Sequence, residues 1–154
     1  MTEQALLNYF QDKISADELA IDLIGSQKKT SFDTNSVYVT QIKSDSEFVI
    51  TKAHLLKLCN DVLNGKLKIL DINTIAFALI TSEFFTRNED DEDSSVIENV
   101  IFDWDNPEIG YSLTLDNMKK WKQYLETRNY NFNKEELDNK FRNDRKGRNI
   151  NKIE

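Results

Sequence analysis

The scarcity of turn-forming residues constrains the fold of this chain more than any other feature. Its 154 residues contain only four Gly and one Pro, too few for the many tight turns of a β-sandwich or β-barrel. A chain of this length is the size of one domain and buries roughly two-thirds of the surface that its unfolded form exposes. The sequence therefore predicts a mainly α fold, a single-domain helical bundle.

Capping residues mark where several helices begin. Ser15 and Glu18 form a capping-box pattern ahead of apolar residues at helical spacing. Thr51 and Thr114 suit the N-cap positions of two later helices. The segment 71–80 is apolar almost all round, which indicates a helix at the centre of the core. Together these signals predict five to seven helices.

One segment favours strands over helix. Residues 37–42 and 48–50 are rich in β-branched and aromatic side chains, and they flank a polar turn at 43–47. This pattern is typical of a β-hairpin. The preceding segment, 27–35, is polar and is interpreted as a loop. The fold prediction thus allows a small β-hairpin near 37–50, with helix in this segment as the alternative.

Charge divides the chain into two parts. Residues 1–126 contain 12 basic and 22 acidic side chains, whereas residues 127–154 contain 8 basic and 5 acidic ones. We predict a helical domain over 1–126 and a basic polar C-terminal tail over 127–154 that is partly helical or frayed. The acidic domain repels nucleic acid and anionic membranes, and it attracts basic proteins.

The most concentrated charge lies between residues 88 and 108. This stretch contains nine carboxylates and no Lys or Arg, and its apolar clusters at 96–97 and 100–102 indicate a loop that runs into a buried helix. The simplest interpretation of such a run is a solvated surface. Because no catalytic motif occurs elsewhere, we favour recognition as its function. The predicted partner contacts are Glu89, Asp90, Asp91, Glu92 and Asp93, flanked by Asp105 and Glu108.

Nucleophilic catalysis has little support in the sequence. His54 is the only His and Cys59 the only Cys, and they are five positions apart, which is roughly 140° round a helix. They therefore do not face each other, and we interpret His54 as a structural or surface residue. A lone Cys excludes an internal disulfide and a cysteine-based zinc site. The four Gly residues form no phosphate-binding loop.

The acidic run does not match a calcium-binding loop. An EF-hand loop requires Gly at its sixth position and Glu at its twelfth. Counted from Asn88, these positions hold Asp93 and Asn99. We therefore predict no metal, no cofactor and no enzymatic activity. The enzymatic alternative is acid–base chemistry by the carboxylates around Trp104, which are Asp103, Asp105 and Glu108.

The two tryptophans have two interpretations, core packing and interface anchoring. Trp121 keeps helical spacing with Leu115, Met118 and Leu125, so all four are predicted to face inward. Trp104 lies between two aspartates beside a turn. An exposed Trp at that position would be a candidate binding hot spot.

The sequence predicts a cytoplasmic protein without a membrane partner. Its amino-terminal residues lack the cationic start and apolar core of a secretory signal. No apolar stretch reaches the 18 residues that indicate a membrane-spanning helix. A single Cys fits a reducing compartment.

Several segments resemble one family of proteins. The sharpest is Asp-Trp-Asp-Asn-Pro-Glu over 103–108, followed by a Trp-bearing helix over 113–125; the segment 55–67 and an apolar helix ending near Ser82 accompany it. Over residues 5–126 the chain resembles small cytoplasmic immunity proteins of bacterial polymorphic-toxin and contact-dependent growth inhibition systems.

The resemblance implies a protein that has no activity of its own and that binds and blocks a cognate toxin domain, often a nuclease. A nuclease holds an anionic substrate in a basic cleft, so an acidic inhibitor both competes for that cleft and reaches it quickly. The expected partner is thus a toxin protein, with no nucleic acid, membrane or small-molecule substrate. The alternative is a regulatory or scaffolding module that binds another cytoplasmic protein.

Overall fold

The structure, a computed structural model, describes residues 1–31 and 34–150, and these residues form seven α-helices and four short strands. The helices are α1 (Glu3–Phe10), α2 (Ala16–Leu23), α3 (Lys52–Leu63), α4 (Asp71–Thr81), α5 (Ser94–Asp105), α6 (Leu115–Thr127) and α7 (Lys134–Ile150). The strands are β1 (Gln27–Ser31), β2 (Thr34–Val37), β3 (Phe48–Val49) and β4 (Phe85–Thr86). The prediction of a mainly α fold is confirmed.

Helix boundaries follow the capping signals of the sequence. The Ser15 hydroxyl accepts from the Glu18 N–H at 3.2 Å, and the Glu18 carboxylate accepts from the Ser15 N–H at 2.7 Å. The predicted capping box is therefore formed. At the start of α6 the Thr114 hydroxyl accepts from the Asn117 N–H at 3.1 Å. After α3, Gly65 has φ +75°, a left-handed conformation that Gly adopts without steric cost.

The core lies between helices that pack in pairs. α3 packs against α6, α4 against α5, and α1 against α2. α4 is the most thoroughly buried of these helices, as its sequence predicts, although Ile80 is 39% exposed. Its buried side chains are Ile72, Thr74, Ile75, Ala76, Ala78 and Leu79.

Both tryptophans belong to the core. Trp104 and Trp121 are fully buried, and their rings meet edge to face with centroids 6.4 Å apart. Core packing is therefore the correct interpretation for both. The prediction that Leu115 faces inward is wrong, because its side chain is 53% exposed. Leu115 begins α6, one turn ahead of the buried face that starts at Met118.

A small β-hairpin is present, but it lies earlier in the chain than the sequence predicts. β1 and β2 pair antiparallel, with Gln27 opposite Val37, in the segment interpreted as a loop. β3 pairs instead in parallel with β4, and Phe48 lies opposite Phe85. The Phe48 ring contacts the rings of both Phe85 and Phe10. Packing of these three rings accompanies the pairing of β3 with β4.

Residues after 126 contact the helical domain. Phe132 is buried, and its ring centroid lies 5.2 Å from that of Trp121. Lys140 of α7 donates to the Pro107 carbonyl at 2.7 Å. The division of the chain at residue 126 stays a prediction, and 151–154 of the predicted tail lie outside the described residues. Among the helices that the structure describes, none has the length and apolar character needed to cross a membrane.

Candidate functional site

The acidic loop, defined as residues 88–93, connects β4 to α5. Two short turns stabilise it, because the Asn88 side chain accepts from the Asp90 N–H at 3.1 Å and the Asp91 side chain accepts from the Asp93 N–H at 2.9 Å. Asn and Asp favour such turns because their short side chains bond to a backbone N–H two residues later. These two turns are therefore encoded in the sequence of the loop itself.

Two of the predicted contacts in the acidic loop already pair with cations of this chain. Arg128 donates to Asp93 through Nε and to Glu92 through Nη2, each at 2.9 Å. Lys52 lies 2.8 Å from the other oxygen of Asp93. The hydrogen bonds from Lys52 and then Arg128 hold the pKa of Asp93 below its usual range. Asp93, whose side chain is 15% exposed, thus ties the loop to α3 and to the end of α6.

The remaining three acids form the loop tip, defined as Glu89, Asp90 and Asp91. All three are exposed, and no cationic side chain of residues 1–30 and 36–143 lies within 4.0 Å of their carboxylates. Arg87, the nearest cation in sequence, pairs with Glu98 instead. The loop tip is therefore an exposed group of three negative charges without a local counter-charge among these residues.

The ion pairs of Arg128 can be tested without disturbing the backbone. Arg128 has φ +62°, and Asn tolerates this left-handed conformation better than most residues. We expect Arg128→Asn to make amide hydrogen exchange in the acidic loop several-fold faster. The variant removes the ion pair with Glu92 and one of the two ion pairs of Asp93, and only the pair with Lys52 remains. Exchange measured by mass spectrometry checks this, with Arg142→Asn on α7 as the matched control. Unchanged exchange in the loop would assign its anchoring to Lys52 alone.

Asp105 and Glu108 lie at the other end of α5 from the acidic loop. α5 has 12 residues and is therefore about 18 Å long. The seven predicted contacts thus form two groups and not one patch. Partial burial and then the charge of Glu108 raise the pKa of Asp105. Asn73 fixes this end of α5 by donating to the carbonyls of Trp104 at 3.0 Å and Asp105 at 3.2 Å.

A cleft of about 410 Å³ opens between the C-terminal half of α5 and α7. Its volume falls in the range of small-ligand pockets, about 300–1,000 Å³. We name it the α5–α7 cleft. Its apolar lining consists of Phe102, Ile109, Tyr111, Tyr130, Leu137 and Phe141, and its polar lining includes Asp103, Asn106, Lys134 and Asp138.

No family profile, curated protein or solved structure matches this chain. Its function must therefore be argued from the acidic loop, from the α5–α7 cleft and from the residues that connect them. The sequence predicts the acids of the loop, but it does not predict the cleft.

Phe102 is the residue through which the cleft could have been recognised in the sequence. The grouping of Phe102 with the buried residues of α5 is wrong, because its side chain is 57% exposed. The buried positions of α5 are 96, 97, 100, 101 and 104. At 100° per residue, Phe102 lies on the opposite side of the helix from the centre of this set. A large aromatic residue on the polar face of a predicted helix indicates an exposed apolar site, and Phe102 is such a residue.

Asp103 is the one carboxylate of the enzymatic alternative that lines the cleft. Its Oδ2 accepts from Trp121 Nε1 at 2.9 Å and from the Tyr130 hydroxyl at 2.6 Å. Burial raises the pKa of Asp103, and these two hydrogen bonds oppose the rise. Asp105 and Glu108 do not line the cleft. Among the residues described, no three His, Cys, Asp or Glu side chains are grouped to hold a metal ion.

His54 and Cys59 make contacts typical of residues with a structural role. The Nδ1 atom of His54 accepts from the Thr51 N–H at 3.0 Å at the start of α3, and its ring packs against Phe10 and Phe48. Burial lowers the pKa of His54. Cys59 is fully buried, and burial raises the pKa of its thiol to about 12. A thiol in this state is a poor nucleophile at neutral pH.

Proposed function

We propose that this chain is a cytoplasmic immunity protein that binds and neutralises a cognate toxin domain, of a basic nuclease type, through its acidic surface. The observation that supports this most directly is the loop tip, where Glu89, Asp90 and Asp91 are exposed without counter-charges among residues 1–30 and 36–143. The resemblance of residues 5–126 to immunity proteins gives the class of partner.

The chemistry of a nuclease explains why an acidic surface is suited to inhibit it. A nuclease must hold a polyanion, so its active site is lined with Lys and Arg. An acidic protein with a net charge of −7 is attracted to that site over long range, which raises the association rate. It then occupies the position of the substrate.

The anchoring of the acidic loop adds to this suitability. Arg128 and Lys52 hold Asp93, so the adjacent loop tip does not have to be ordered when a partner binds. Ordering a flexible segment on binding reduces affinity, and a surface that is already ordered avoids that cost. Asp93 and Glu92 therefore act within this proposal as supports, and the tip supplies the charges that meet the partner.

Gene context and growth provide the first experiment. In an immunity system the gene of this chain lies directly beside that of a large toxin. The C-terminal domain encoded by that neighbouring gene is expressed in a bacterial host with and without this chain. We expect the domain alone to arrest growth and co-expression to restore it. A harmless domain, or growth that stays arrested, would reject the immunity function and favour the regulatory or scaffolding alternative.

The loop tip can be tested by removing its charges without changing its shape. The triple variant Glu89→Gln, Asp90→Asn, Asp91→Asn is expected to slow association with the toxin domain about tenfold or more at low ionic strength. Its association rate should also depend less steeply on salt. Stopped-flow mixing over a series of salt concentrations measures both effects.

A second triple variant controls for net charge. Asp17, Asp45 and Asp116 are exposed and lie far from the acidic loop in sequence, and their conversion to Asn removes the same total charge. We expect a smaller loss of association rate from this variant. Equal losses would show that net charge, and not the tip, steers the partner. An association rate unchanged by the first variant would remove the tip from the interface.

A further inference from the structure

We propose that the α5–α7 cleft is the anchor site of the same interface and receives an apolar side chain from a basic segment of the partner protein. This inference rests on the proposed function, because it names where and how that partner docks. In this proposal, burial of that side chain in the cleft supplies binding energy in addition to the attraction between opposite charges.

The exposed apolar side chains at the cleft support an anchor site. Phe102 is 57% exposed, Ile109 59% and Phe141 39%, and Tyr130 beside them is 42% exposed. Aromatic residues contribute much of the binding energy of many interfaces, and an aromatic or aliphatic side chain seated in a pocket is a usual central contact. Contact with a protein would cover the outer faces of Phe102 and Ile109, which a small molecule inside the cleft would leave in water.

The acidic loop and the cleft lie at the two ends of α5. Glu98 and Phe102 are four residues apart and both exposed, so they follow one another along the outer face of the helix. The acidic loop precedes the first residue of α5 and the cleft is lined by its C-terminal half, so the two are separated by up to about 18 Å along a helix of 12 residues. A standard interface covers about 800 Å² on each partner and spans this distance.

Charge complementarity identifies the segment that fits the cleft. Asp103 and Asp138 contribute carboxylates to the lining and Lys134 contributes one ammonium group. Asp103 and Lys140 are both engaged internally, because Asp103 accepts from Trp121 and Tyr130 and Lys140 donates to the carbonyls of Pro107 and Gly110. The two segments that line the cleft, 102–111 and 130–141, contain six carboxylates and two ammonium groups, so the surroundings of the cleft are net acidic. An apolar side chain flanked by Lys or Arg is the complementary occupant.

The experiment compares two cleft variants with two matched controls. Phe102→Ala and Ile109→Ala shorten exposed apolar residues at the cleft. Ile21→Ala and Leu70→Ala make the same kind of change at residues that are 68% and 64% exposed elsewhere. Each variant is first checked for an unchanged melting temperature. Its Kd and dissociation rate are then measured with the toxin domain encoded by the neighbouring gene.

We expect each cleft variant to raise Kd at least tenfold, about 1.4 kcal/mol, mainly through faster dissociation. The controls should stay within about twofold of the unmodified chain. This kinetic pattern differs from that of the loop tip, whose removal slows association. A combined variant of tip and cleft should therefore show both defects.

Other outcomes separate the inference from the function on which it rests. If the unmodified chain does not bind the toxin domain, the immunity proposal fails and the inference fails with it. If it binds and the cleft variants bind equally well, the immunity function stands and the anchor site is rejected. Light scattering of the chain alone adds a third result. A dimer that Phe102→Ala converts to monomer would make a second copy the occupant and would also reject the proposal.

Discussion

Replacing Trp121 by Ala is expected to lower the free energy of unfolding by about 3–5 kcal/mol, a large part of the total stability of an ordinary domain. Trp121 is fully buried, meets Trp104 edge to face and packs 5.2 Å from the ring of Phe132. Truncation leaves a cavity between these rings and removes the donor to Asp103. Urea denaturation followed by circular dichroism measures the loss.

Two further variants test which part of this stability loss comes from the Trp121 ring and which from its hydrogen bond. Trp121→Phe retains most of the ring and removes the Nε1–H donor, so we expect a smaller loss than that of Ala. Lys119→Ala changes an exposed residue of the same helix and should alter the stability by less than about 0.5 kcal/mol. A loss below about 1 kcal/mol for Trp121→Ala would contradict a central role for this ring.

Replacing Asp103 by Ala is expected to cost about 1–3 kcal/mol, because the Nε1–H of the buried Trp121 then has no acceptor. Asp103→Asn is the matched control. Its side-chain oxygen can still accept from Trp121 and Tyr130, so we expect a stability close to that of the unmodified chain at pH 7. Denaturation of both variants under identical conditions measures whether Asp103→Ala loses more stability than Asp103→Asn. Equal losses in both would assign the effect to the charge and not to the hydrogen bonds.

The pH dependence of the same Asn variant tests the state of Asp103. Burial raises the pKa of Asp103 in the folded protein above its unfolded value near 3.9, so the folded protein binds this proton more tightly. By linkage, the contribution of Asp103 to stability is greatest below the unfolded pKa and declines as the pH rises through the folded pKa. Asn does not titrate. The stability of Asp103→Asn relative to the unmodified chain should therefore increase from pH 4 to pH 7, and a constant difference would contradict the raised pKa.

The helices follow from local patterns, and the strands do not. Ser15 with Glu18 and Thr114 with Asn117 form the caps that their spacing predicts, because a capping interaction involves residues only three positions apart. β3 depends on a strand 37 residues later, where Phe85 lies opposite Phe48. No spacing within the neighbourhood of β3 encodes that choice, so the predicted hairpin near 37–50 did not form.

In the candidate site, too, some features follow from local sequence and others from contacts between distant segments. The sequence by itself determined the density of acids in residues 88–93, the turns that shape this loop and the start of α5 beside it, since these depend on composition and on contacts between near neighbours. The tertiary structure decided which of the acids keep their charge unpaired. Arg128 reaches Asp93 from 35 positions away, and α7 closes one side of a cleft that begins at Phe102. Contacts of this kind arise from packing between distant segments, which local periodicity does not specify.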